Sequence, residues 1–198
     1  MIKLIKKLLK RKLLTVTIIG FVFFAWAISY FVFQNYRQDN LIAVASGIID
    51  NSLLPVRLKI PAIKVDTAVE YVGLTLDGAM DAPKGPAEVA WYKLGTRPGE
   101  IGSAVIAGHS GWKNNKRAVF DNLNKLQKGD KIYIEDGRGV VITFVVREKR
   151  LYNPNADATD VFSSTDGRVH LNLITCEGIW DEVTKSHPSR IVVFTDKE

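Results

Sequence analysis

Residues 13–33 (LLTVTIIGFVFFAWAISYFVF) run for 21 positions without a charge, and this stretch dictates where the rest of the chain can sit. A helix of that length rises roughly 30 Å, the thickness of a bilayer's hydrocarbon core. Trp26 and Tyr30 lie toward its far end, where amphipathic rings favour the interface. Lys3, Lys6, Lys7, Lys10, Arg11 and Lys12 precede it with no acid among them, and only Arg37, close to Asp39, follows just after. This asymmetry predicts a basic cytoplasmic tail at 1–12, a transmembrane anchor at 13–33 that contacts membrane lipid, and residues 34–198 outside the cytoplasm. The protein is then a single-pass protein of the cell membrane. A cleaved signal peptide is the competing reading, with Ala43-Val44-Ala45 as a small-residue site. It is disfavoured because the apolar run exceeds the usual h-region of about 7 to 15 residues, and the site lies about ten residues beyond its end.

The formal charge of +6 belongs to the tail. Setting aside its six positive residues leaves 21 Lys and Arg against 21 Asp and Glu, so the remainder is neutral. With no basic and aromatic interleaving downstream, nothing marks a nucleic-acid-binding face.

Residues 34–51 have the texture of a stalk. Leu41, Val44, Ile48 and Ile49 sit near helical spacing, which predicts a short helix. From Ser52 onward the chain becomes short apolar runs punctuated by Gly and Pro. Strands are predicted at 56–60, 65–72, 88–92, 103–107, 131–135, 140–147, 169–176 and 190–195, with one helical turn at 122–126. Asp77-Gly78 marks a turn, and Asp136-Gly137-Arg138-Gly139 predicts a hairpin with a primed turn. Eight strands without a helix long enough to cover a sheet are most economically closed into a barrel, which removes every edge. The expectation is an all-β, closed eight-stranded barrel with short helices over residues 52–198.

Val169, Leu171 and Leu173 alternate with His170 and Asn172, the period of a half-buried strand that delivers the chain's one cysteine, Cys176, to its end before Gly178. A lone cysteine outside the cytoplasm has no disulfide partner in the chain and is exposed to oxidation, so its retention points to chemical work. The bland alternative is a small buried hydrophobe. His109 follows the 103–107 strand directly, and Arg190 opens the last one. If the last two strands pair antiparallel, Cys176 lies beside Arg190. A thiol, an imidazole and a guanidinium at strand ends are the parts of an acyl-transfer site: nucleophile, acid and base, and oxyanion or substrate clamp. His109 as a turn residue and Arg190 as an edge charge are the structural alternatives.

Ala104-Val105-Ile106-Ala107-Gly108-His109, Leu173-Ile174-Thr175-Cys176 and Ser189-Arg190-Ile191-Val192, in that order, resemble the sortases, membrane-anchored cysteine transpeptidases of bacterial surfaces. Leu58-Lys59-Ile60-Pro61, Val72-Gly73-Leu74 and Pro98-Gly99-Glu100-Ile101-Gly102 add less specific support, and the likeness covers roughly residues 52–195. The resemblance implies an eight-stranded barrel that cleaves a Leu-Pro-x-Thr-Gly-like sorting signal between Thr and Gly. It implies an acyl group held as a thioester on Cys176 and passed to an amine, with His109 as general acid and base and Arg190 as clamp. The implied partners are secreted proteins bearing a C-terminal sorting signal and an amine acceptor such as a cell-wall precursor. By the same likeness residues 151–168 line the signal's groove. The family motif reads Thr-Leu-x-Thr-Cys, and Asn172 stands where the first Thr belongs. Pilin-polymerising members often carry a second, C-terminal membrane segment not present here, which favours an anchoring or housekeeping role.

His170 shares the strand parity of Cys176 and competes as the base, against the ordinary case of a strand histidine with a structural partner. His187-Pro188 is expected as a solvated turn. No cofactor is implied and no zinc site is legible. Asn153, Asn155 and Asp157 resemble the start of a calcium loop, but Ala158 stands at the turn glycine and Ser164 at the bidentate Glu, which leaves at most a weak calcium site. Two rival functions carry different signatures: another thiol enzyme acting on peptidoglycan, an L,D-transpeptidase or hydrolase, whose Ser-His-Gly-Cys pattern is absent, and a non-catalytic anchored β-domain that binds a surface partner.

Overall fold

Eight strands each turn one face into a common interior, and together they close on themselves. The computed structural model describes residues 51–198 apart from 155, 184 and 185, together with Ile28 and Tyr30. The chain divides into units Met1–Ile49 and Asp50–Glu198, and the second is the body described here. Apart from helical Ile28 and Tyr30, the expected tail, anchor and stalk lie outside the described residues. Among the described residues no helix is long and apolar enough to cross a membrane.

The strands are β1 (Pro55–Ile60), β2 (Val65–Val72), β3 (Val89–Tyr92), β4 (Gly102–Gly108), β5 (Lys131–Asp136), β6 (Val141–Tyr152), β7 (Val169–Glu177) and β8 (Ser189–Lys197). They form a closed barrel in the order β1-β2-β3-β4-β7-β8-β6-β5. The pairs β2–β3 and β4–β7 are parallel and the remainder antiparallel. Alternate residues fill the interior, among them Leu58, Ile60, Ile106, Ile132, Phe144, Leu171 and Leu173, with Phe120 and Leu123 from the β4–β5 connection plugging it.

A second apolar cluster lies outside the barrel. The short helix α1 (Thr159–Phe162) sets Val161 against Val105, Val192 and Phe194, with Tyr152, Phe162 and Ile174 around them. Asp157 starts this helix by accepting hydrogen bonds from the Thr159 N–H (2.9 Å) and hydroxyl (2.6 Å). Its cover changes the expectation for β7. The strand is buried on both faces over His170–Leu173 instead of half-buried, because the alternation of Val169, Leu171 and Leu173 records only the inner face.

Two further expectations are corrected. The β5–β6 hairpin does not use a primed turn, since Gly139 has positive φ (+79°) whereas Gly137 and Arg138 do not. Asp136 explains this: its carboxylate accepts the N–H groups of Arg138 and Val140, both at 2.9 Å, and so closes a longer loop. Strand β6 also runs on past Arg147 to Tyr152. Its charged stretch hides the strand in the sequence, but a register shift between Val146 and Glu148 lets Glu148–Tyr152 continue pairing with β8.

Candidate active site

Strand direction alone gathers the three residues of the expected site. Because β4 and β7 run parallel, their C-terminal ends share one rim, and because β8 runs antiparallel to β7, its first residues meet the same rim. Cys176 is the cross-strand partner of Arg190. On the other side Ala107 pairs with Ile174 in the last pair of that register, and His109 follows directly after β4 ends at Gly108. The Thr175 hydroxyl fastens the junction by donating to the Gly108 carbonyl at 2.7 Å.

Cys176 is a free, half-buried thiol on the barrel's outer face. Burial pushes its pKa up, and the positive charge of Arg190 pulls it part of the way back. Arg190 is aimed by its own loop: Nη1 donates to the Ser189 carbonyl (3.0 Å) and the His187 carbonyl (3.3 Å). Among the described residues no carboxylate forms an ion pair with it.

His109 is held from two sides. Its Nε2 lies 2.8 Å from the Pro83 carbonyl, which can only accept, so this nitrogen carries the proton. The ring packs against Trp112 with centroids 4.7 Å apart. The preceding Gly108 is required by the packing beneath it. A Cβ there would stand 2.5 Å from the ring of Phe120, which is itself fully buried in the core.

A thiol beside a guanidinium, with an imidazole one strand away to carry its proton, can attack a carbonyl, stabilise the oxyanion and protonate a leaving group. The family model for the sortase domain matches residues 58–198. The chain belongs to the sortase family. Among solved structures, sortase C-1 from Actinomyces oris is 26% identical with a TM-score of 0.58, the match covering 72% of this chain and 71% of that one. A sortase D5 transpeptidase from Clostridium perfringens is 26% identical (TM-score 0.55, 73% and 78% covered). The lid mutant of sortase A from Corynebacterium diphtheriae, at 22% identity and TM-score 0.58 over 73% and 70%, shares the fold. No curated protein sequence matches the chain.

The sortase barrel separates its three histidines. His170 sits near the start of β7, buried, with Nδ1 2.8 Å from Asp196 and Nε2 2.9 Å from Asp166. Six residues of strand, roughly 20 Å, part it from Cys176, so it does not compete as the base. It instead ties the β6–β7 connection to β8, and the bond it makes to Asp166 is the main cause holding that carboxyl well below its ordinary range. His187 is more than a solvated turn, since its Nδ1 bonds the Gly178 carbonyl at 2.9 Å while its own carbonyl positions Arg190. The carbonyls of Pro83 and His187 were not anticipated: a backbone acceptor in a loop has no residue-type signature. The amide of Asn172 gave one signal, its departure from the family motif.

Proposed function

We propose that this sortase cleaves a Leu-Pro-x-Thr-Gly-like signal and transfers the acyl fragment to an amine, with Cys176 as nucleophile, His109 as general acid and base, and Arg190 as clamp. The observation that carries the reading is the register that sets Arg190 opposite Cys176 at the rim where β4 leads into His109. Cys176 passes its thiol proton to His109, and Sγ attacks the Thr carbonyl carbon while Arg190 donates to the oxyanion. The C–N bond to Gly breaks, and His109 supplies the proton that leaves with the amine. A thioester remains. An incoming amine then attacks the same carbon and gives its proton to His109, and the C–S bond breaks as His109 returns that proton to sulfur, restoring the thiol. The six basic residues before the uncharged 13–33 run support a membrane-held enzyme with this rim outside the cytoplasm, where secreted substrates and cell-wall amines are found.

Incubating the protein with a quenched Leu-Pro-x-Thr-Gly peptide and an amine tests the proposal. Cleavage with amine capture is expected, absent in Cys176→Ala and reduced about 10²-fold or more in His109→Ala, the scale of a lost general acid. Undiminished turnover by Cys176→Ala would refute it.

A further inference from the structure

Charge is spread unevenly along the chain, and the imbalance sits beside the site. The connection that leaves β4, residues 109–128, holds Lys113, Lys116, Arg117, Lys125 and Lys128 against one acid, Asp121. Over residues 13–198 as a whole, by contrast, Lys and Arg match Asp and Glu. The Asp121 carboxylate is taken up by the Gly111 N–H, which it accepts at 2.7 Å.

Three of these cations are held close to His109. The Phe120 N–H donates to the His109 carbonyl at 3.0 Å, so residues 110–119 form a loop whose two ends meet at the histidine. Pinned at both ends, such a loop reaches at most about five residues, roughly 17 Å, from that point. Trp112 folds it back further: its ring centroid lies 4.7 Å from that of His109, and its backbone pairs with Lys116. Lys113 and Lys116 therefore flank the residue that touches the imidazole, with Arg117 next in the chain. All three are exposed, and among the described residues none of them forms an ion pair.

Uncompensated cations beside the base bear on the second half of the reaction. The acceptor amine gives its proton to His109, so it has to come within reach of this loop, and a free amine is mostly ammonium at neutral pH. An acceptor that is only a cation is repelled there, whereas one with fixed negative charge near its amine is drawn in. A carboxylate answers one of the three cations. A phosphate brings about two negative charges and three acceptor oxygens. We propose that the loop of residues 110–119 selects the acceptor, drawing in amines that carry a phosphate group through Lys113, Lys116 and Arg117. This rests on the transpeptidase reading above. The three cations act on binding of the acceptor and leave the order of bond making and breaking unchanged.

The test follows transfer from a sorting-signal peptide by the full-length protein in detergent to three acceptors, Gly-Gly-Ser amide, Gly-Gly-Asp amide and Gly-Gly-phosphoserine amide, as kcat/KM for each. At about 50 mM NaCl the phosphoserine acceptor is expected to exceed the serine one by about tenfold or more, with the aspartate one between them. The ratio should fall severalfold at about 500 mM, where the Debye length shrinks to about 4 Å. In the triple variant Lys113→Gln, Lys116→Gln, Arg117→Gln it falls to near one. Because the ratio compares acceptors on the same protein, partial unfolding or slower signal cleavage does not produce that change. Equal transfer to the serine and phosphoserine acceptors by the wild type overturns this inference alone, without any variant. A preference that ignores salt, or that survives in the triple variant, does the same. Cleavage with transfer to none of the amines, or no cleavage while Cys176 is still open to alkylation, overturns the transpeptidase reading as well.

Discussion

The Cys176 thiol sits between two opposing influences, and their balance sets how much thiolate the enzyme holds. Burial is the larger and favours the neutral form; the Arg190 charge works against it. A raised pKa lowers the thiolate fraction at neutral pH, so the rate of alkylation by iodoacetamide is expected to keep rising past the ordinary thiol value of 9.0. Removing the charge in Arg190→Ala should move that midpoint further up. A midpoint below 9.0, or one that drops in Arg190→Ala, contradicts the assignment of causes. At this scale the sequence was informative because cysteine, histidine and arginine are chemically distinctive and stood at predicted strand ends. The carbonyls of Pro83 and His187 that aim His109 and Arg190 were invisible, since every residue has one.

Among the elements, β4 leads into the site and the β6–β7 connection covers the outer face of β7. Gly108 lets the end of β4 approach the buried Phe120, so Gly108→Ala forces a side chain into a filled core. The expected cost is about 1–3 kcal/mol in a denaturant melt, with a fall in turnover because His109 follows directly. The β6–β7 connection is pinned by His170 through Asp166. A carboxylate whose folded pKa is depressed contributes stability that is present above its unfolded value and lost as pH falls through the folded one. Asp166→Asn should therefore melt earlier than the wild type at pH 7, and the gap should shrink as pH drops below the ordinary carboxylate value of 3.8. A gap that widens on acidification contradicts the pinning. The sequence placed every strand because each has an apolar inner face, but β6 came out short and β7 too exposed. In β6 the charged run of Glu148, Lys149 and Arg150 hides continued pairing with β8. In β7, polar His170 and Asn172 are buried by α1, a four-residue helix too short to announce itself.

For the molecule as a whole, the decisive fact is strand order. Pairing of β7 with β8 could be anticipated from their adjacency in the chain, and it set Cys176 beside Arg190. The parallel pairing of β4 with β7 joins segments more than sixty residues apart and leaves no local pattern, so the resemblance of the motifs implied His109 at the rim where periodicity could not. The central claim is that these three side chains perform one acyl transfer at that rim. Its most direct measurement is the intact mass of the protein after acid quench in the presence of a sorting-signal peptide without added amine, with the adduct located by fragmentation. The account predicts a mass increase equal to the peptide's fragment through Thr, attached at Cys176, discharged when an amine is added and missing in Cys176→Ala. An adduct on another residue, or cleavage and amine capture in the Cys176→Ala protein, would contradict it.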